Sequence, residues 1–251
     1  MDHVAERLQF SPSKVSRLEN GLRGVSTRDI NDLCDLYDVR GRERQQLVDL
    51  AAEGKQRAWW QSRDLPYSNY VGLEAAAASI RDVGLGVVPG LLQTPAYARA
   101  VLSAVHPRLE ADVVEQRVTN RIERQRLLAA ADPPQFTAVI DEAVLHRLAD
   151  NRDVMRAQLK HLVAVSEQPQ IDIRVLPFNV GILPVTNKFI ILSFADSSVP
   201  GVVFVEVHTG DVYLGPDEGL AAYEEAFSAM ADMASTPAES RRLIATIASQ
   251  M

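Results

Sequence analysis

Cysteine is nearly absent from this chain: Cys34 is the single one in 251 residues. That excludes an intramolecular disulfide and a four-thiolate zinc site. No stretch approaches the roughly 20 consecutive apolar residues that a membrane-crossing helix needs. The opening MDHVAERLQF has neither the basic n-region nor the long apolar h-region of a secretory signal. These absences point to a soluble protein of the reducing cytoplasm, without a membrane partner.

Catalytic and cofactor motifs are missing as well. There is no HExxH, no paired metal-ligand spacing and no nucleophile elbow. The run Gly84 to Gly90 has the look of a nucleotide loop, but Pro89 stands where that fingerprint opens a helix, and no Lys-Ser/Thr pair follows. It reads as a plain loop. Glu142 with His146, and Glu206 with His208 and Asp211, are acid-histidine groupings too sparse for a metal or acid-base site. The expectation is a protein that is not an enzyme and takes no cofactor.

What is present is 47% hydrophobic residues, enough for a filled core, and an uneven charge. Residues 1–44 carry eight Lys/Arg and eight Asp/Glu, so the whole net charge of −7 lies behind them. Within Arg7 to Arg28 the basic residues Arg7, Lys14, Arg17, Arg23 and Arg28 face the single acid Glu19. A local basic patch of this kind is what phosphate binding needs, whatever the charge of the whole chain.

The same segment has a helical rhythm. Val4, Ala5 and Leu8 mark a short helix over Asp2 to Leu8, and Ser11-Pro12 caps and opens a second that Val15 and Leu18 carry to Asn20-Gly21. Ser26 with Asp29 opens a third, with Ile30, Leu33, Cys34 and Tyr37 on its buried side and Gly41 as its end. A fourth runs from Glu43 to about Gln61, with Leu47, Leu50 and Ala51 inward, then Trp59-Trp60 and a linker at Arg63 to Pro66. Two short helices joined by a tight turn, the second basic outside, form a helix-turn-helix that docks the second helix in the major groove. Its outward positions are Ser13, Lys14, Ser16 and Arg17, of which Ser13, Lys14 and Arg17 suit base edges; Ser11, Asn20 and Arg23 suit phosphates.

The remainder mixes both periodicities and predicts an α+β fold. Helices are expected at Pro95 to Val105, Glu110 to Ala130, Glu142 to Leu148, Arg152 to Ser166, Asp217 to Ala234 and Pro237 to Ser249. Strands are expected at Phe136 to Ile140, Asp172 to Leu176, Phe189 to Phe194, Val202 to Val207 and Asp211 to Leu214, with a hairpin turn at Thr209 to Asp211. Arg117, Arg121, Arg124 and Arg126 beside Glu115 and Glu123 read as a solvated helix face. Pro89 to Thr94, PGLLQT, leads from a turn to a helix capped by Thr94 and reads as structural.

The stretch SPSKVSRLENGLRGVSTRDINDLCDLYDV, above all its LENG, resembles the Cro/phage-repressor type of helix-turn-helix found in xenobiotic-response-element-like regulators. YVGLEAAAASIRDVGLGVVPGLLQTPAYARAVL is similar to the opening of a poorly characterised second domain of actinobacterial regulators, and the similarity runs to the C-terminus. The resemblance implies a transcriptional regulator acting on a double-stranded DNA operator, and because one such helix reads too few base pairs for operator specificity, a homodimer is expected. It also implies an antitoxin-like character, with a small partner protein from a neighbouring gene; the alternative reading makes capture of that partner the main task. Family members carry another helix ahead of the one with Val4 and Ala5, so the first helix is expected to be missing here. Their turn favours a left-handed glycine where this chain has Gln9. The expected architecture is α+β: an all-α helix-turn-helix domain over 1–63, then a larger regulatory or partner-binding α+β domain over 64–251 with a small mixed sheet.

Overall fold

The computed structural model describes residues 2–19, 25–53, 68–147, 152–185, 187–207, 210–216 and 219–251; of Asp2, His3, Arg17, Glu19, Ala52, Glu53 and Ser68 it describes the backbone only. Trp59-Trp60, the linker at Arg63 to Pro66 and the 63/64 boundary lie outside the described residues. The chain divides into two compact units, residues 1–68 and 69–251.

The first unit is all-helical: α1 (Asp2–Leu8), α2 (Pro12–Glu19), α3 (Thr27–Leu36) and α4 (Gly41–Glu53). Local chemistry sets its boundaries. Ser11 caps α2 through Oγ, which accepts from the Lys14 N–H at 3.1 Å, and Pro12 opens the helix. Ser26 and Asp29 form a reciprocal capping box at the head of α3. Ala5, Val15, Cys34 and Ala51 supply its buried apolar centre.

Three expectations change here. Gly41 does not end α3; the helix stops at Leu36, where Asp38 turns left-handed at φ 55° and the Val39 N–H reaches back to the Cys34 carbonyl at 2.9 Å. That is a Schellman end built on aspartate, whose short polar side chain tolerates this conformation, and Gly41 begins α4 instead. Tyr37, expected on the buried side, lies past the last turn and is 61% exposed. Leu50 is 62% exposed because the buried stripe of α4 follows Leu47, Val48 and Ala51 and leaves Leu50 off its edge.

The second unit is a six-stranded mixed sheet between helices. In chain order it comprises α5 (Ser68–Ala76), β1 (Ser79–Gly84), a 3-10 turn at Gly90–Leu92, α6 (Pro95–Val105), α7 (Ala111–Arg124) and a second 3-10 turn at Gln125–Ala129. There follow β2 (Gln135–Asp141), α8 (Glu142–His146), α9 (Arg152–Val165), β3 (Ile171–Leu176), β4 (Ile190–Ser193), β5 (Val202–Val207), β6 (Gly210–Leu214), α10 (Leu220–Met233) and α11 (Pro237–Gln250). The strand order is β3-β2-β1-β4-β5-β6. β1, β2 and β3 run parallel; β4 turns antiparallel against β1, and β5 and β6 continue as a meander.

β1 and α5 carry no expectation from sequence. SIRDVG sets Arg81 and Asp82 in the middle of the strand, which hides the alternation, yet β1 lies at the centre of the sheet with Ile80 and Val83 fully buried. One face packs Val83, Val139, Ile191, Val203 and Val205 against Phe227 and Met230 of α10. The β3 edge is tied down by the start of α11: the Val175 N–H donates to Ser240 Oγ at 2.9 Å and its carbonyl accepts from Ser235 N at 2.9 Å. Both groups of that edge residue are thereby satisfied.

Candidate nucleic-acid interface

α1 and α2 are joined by Gln9, Phe10 and Ser11. Gln9 takes the left-handed conformation, φ 54°, that the turn requires, and the Phe10 N–H bonds back to the Ala5 carbonyl at 2.9 Å. This is a Schellman-type end, in which the residue after the left-handed one packs back on the helix. Ala5 is 5% exposed, so its small side chain allows the close passage of the helices, and Val15 at 3% seals α2 from beneath.

The expected site residues divide. Ser11 and Ser13 are exposed at the N-terminal end of α2, Ser11 doubling as the cap, and Ser16 is half-buried. Arg17 lies in the last turn of α2, where its backbone alone is described; Asn20 and Arg23 lie outside the described residues. Lys14 does not face outward as expected. Its Nζ donates to Asp29 Oδ1 at 2.5 Å and stands 3.3 Å from the Phe10 ring centroid, leaving the side chain 19% exposed. The reason is proximity across the sequence: the capping box brings the Asp29 carboxylate beneath α2, and an ammonium gains more there than in water. Arg7 and Arg28 are exposed at the end of α1 and the start of α3 and add positive charge to this unit.

Asp29, which the sequence marks only as a cap, serves two elements. Oδ2 accepts from Ser26 N at 3.1 Å and Ser26 Oγ at 2.7 Å, while Oδ1 takes Lys14. Burial by itself would raise this carboxyl, but the bonds from Lys14 and Ser26 outweigh it and hold its pKa at about 2. The group stays ionised. Only the capping-box spacing hinted at it; the ion pair spans fifteen residues and has no local signal.

The second unit contains a buried polar centre that the sequence disguised. Arg124, read as part of a solvated face, is turned inward: its Nε and Nη2 donate to Glu74 Oε2 and Oε1, each at 2.7 Å, and the side chains are 13% and 2% exposed. Tyr70 Oη donates to Glu74 Oε1 at 2.6 Å, and the guanidinium stands 5.2 Å from the Tyr70 ring. Burial disfavours the Arg124 cation, but Glu74 more than offsets this and raises its pKa. Asp82, on central β1, has one oxygen without a hydrogen-bond partner. Burial, opposed by Lys188 and reinforced by Glu74, pushes its pKa up to about 6.

The PGLLQT segment beside it is held in place by side-chain amides. Gln93 Nε2 donates to the Val88 carbonyl at 2.7 Å and its Oε1 accepts from Arg121; Gln158 bridges the Leu92 carbonyl and the Thr94 N–H, both at 2.7 Å. Thr94 caps α6. Glu142 and His146 lie 3.5 Å apart, and Glu142 also accepts from the Phe178 N–H, so the pair anchors the β3–β4 loop. Of the second grouping, Glu206 and Asp211 face each other across the hairpin and His208 lies outside the described residues. Among the described residues no group of three or more His, Cys, Asp or Glu could hold a metal ion, and no helix is long and apolar enough to cross a membrane.

The geometry of residues 2–19 defines a helix-turn-helix, and the sequence profile of a helix-turn-helix domain matches residues 2–47. The larger match covers residues 67–246: the chain belongs to the family described as domain of unknown function DUF5753. No curated protein matches it.

Proposed function

We propose that this protein is a sequence-specific DNA-binding transcriptional regulator that docks α2 in the major groove. The observation carrying this reading is the pair of short helices joined by a left-handed turn at Gln9, set in a basic stretch of an otherwise acidic chain. Ser13 and Arg17 of α2 are the base readers, Arg17 by the bidentate contact that guanidinium makes to guanine. Ser11, Ser16, Asn20 and Arg23 hold the backbone.

One eight-residue helix reads too few base pairs to define an operator, so the reading includes a homodimer on two half-sites. The part behind the helix-turn-helix would dimerise, sense an effector or hold a small protein from a neighbouring gene. The resemblance of this part to the second domain of antitoxin-like actinobacterial regulators, behind a helix-turn-helix of the Cro/phage-repressor type, supports that role. No catalysis or cofactor enters this reading.

The test is fluorescence anisotropy with duplex fragments from upstream of the protein's own gene, in salt from about 50 to 200 mM. One fragment should bind in preference to random DNA, and Arg17→Ala should weaken that binding by roughly 1–3 kcal/mol. If the wild-type chain prefers no fragment, the regulator reading is wrong.

A further inference from the structure

α2 has little to hold it. Eight residues make about two turns, a length that has no stability of its own in water. Beneath it Val15 is fully buried, while Leu18 and Ser16 are only half-buried. Base reading nevertheless demands that side chains on this helix stand within tenths of an ångström of their partners.

We propose that Lys14, Asp29 and Phe10 are positioning residues that clamp α2 in its reading orientation, and that Lys14 itself does not contact DNA. The inference rests on the regulator reading above and assigns a specificity-determining role within it. The Lys14 ammonium is held from two sides, by Asp29 Oδ1 at 2.5 Å and by the Phe10 ring at 3.3 Å. The cation and its two partners belong to three elements. Phe10 sits in the turn, with its N–H bonded to the Ala5 carbonyl of α1; Asp29 sits in the first turn of α3, bound to Ser26; Lys14 itself is in the first turn of α2. The cation therefore links the two helices that flank α2 through the middle of α2's first turn. Asp29 has both oxygens engaged and stays ionised, so the clamp persists across the physiological pH range. A lysine reaching for phosphate would have to abandon a charge-assisted bond and an aromatic face together.

The roles of clamp and contact predict opposite signs. A phosphate-contacting Lys14 would be freed when Asp29 loses its charge, so Asp29→Asn would tighten binding, and Lys14→Met would lower the slope of log K against log salt by about one. A clamp predicts that either change weakens preferred binding and leaves the slope intact.

Anisotropy is measured for the full-length chain on the preferred upstream fragment and on random duplex of equal length. The expected result is a roughly tenfold fall in the ratio of preferred to random binding for Lys14→Met and for Asp29→Asn, the loss of about one base contact. Binding to random DNA and the salt slope should stay unchanged. The double variant should lose no more than either single one, and Lys14→Arg, which can bond the carboxylate and stack on the ring, should keep the ratio. A defect of folding alone would lower preferred and random binding together. Should Asp29→Asn unfold the first unit by breaking the α3 cap, Lys14→Met and Phe10→Leu, which spare that cap, decide the matter. A slope lowered by one in Lys14→Met, or tighter binding by a folded Asp29→Asn, overturns the clamp while the regulator reading stands. Absence of any preferred fragment for the wild type overturns both.

Discussion

Neutralising Glu74 should destabilise the second unit more than any exposed charge change of equal size. Glu74 and Arg124 form a two-pronged pair with both contacts at 2.7 Å, and Glu74 is 2% exposed. In Glu74→Gln the shape survives and Tyr70 keeps an acceptor, but the Arg124 guanidinium remains buried without its counter-charge. Removing one partner of a buried pair costs about 3–5 kcal/mol, because the survivor cannot regain its hydration. For a unit of this size each kcal/mol lowers the melting temperature by about 2–4 °C, so a fall of roughly 6–20 °C follows. Calorimetry of the full chain reads it directly. Arg99→Ala, which breaks the exposed Arg99–Glu115 pair, is the control and should leave the melting temperature unchanged. The triple change Glu74→Leu, Arg124→Met, Tyr70→Phe removes both charges and the hydroxyl together and should recover most of the loss. If Glu74→Gln melts within 2 °C of wild type, the pair does not hold the unit together in the way its geometry implies.

Asp82 gives a pH test. Its folded pKa of about 6 lies above the ordinary 3.8, so the folded state favours the protonated acid. That stability is fully present below about pH 4 and is lost as pH rises through 6. Asp82→Asn should therefore change little at pH 4 and gain about 2–4 kcal/mol at pH 7.5 in urea titrations; an equal effect at both pH values would refute the assignment. Gln9→Gly should raise the stability of the first unit by roughly 0.5–1 kcal/mol, the left-handed strain relieved less the added freedom of the unfolded glycine, and a lower melting temperature would contradict it. Gln158→Leu strands the Leu92 carbonyl and the Thr94 N–H, and should cost about 2–5 kcal/mol by denaturant unfolding, whereas a cost below 1 kcal/mol would mean that water replaces the amide.

Much of this architecture is written in local sequence. Ser11-Pro12, the Ser26/Asp29 box, Thr94 and Thr236-Pro237 are short-range signals, and α2, α3, α6 and α11 begin where those residues place them. The left-handed turn at Gln9 follows from the helix-turn-helix pattern, and β2, β3, β5 and β6 follow from runs of β-branched and aromatic residues. Such features depend on a few neighbouring residues, whose conformational preferences act before any distant contact forms.

Tertiary structure decided the rest. SIRDVG became the centre of the sheet because β2 and β4 flank it on both sides, a benefit no property of those six residues reveals. Arg124 went inward because α5 brings Glu74 to it from fifty residues away, and Lys14 turned from the surface because α3 sets Asp29 beside it. A charged side chain faces water unless a counter-charge meets it out of water, and where that counter-charge lies is a property of the folded chain. Composition and local pattern thus determined which helices form and which strands are apolar; the destinations of the charges waited on the fold.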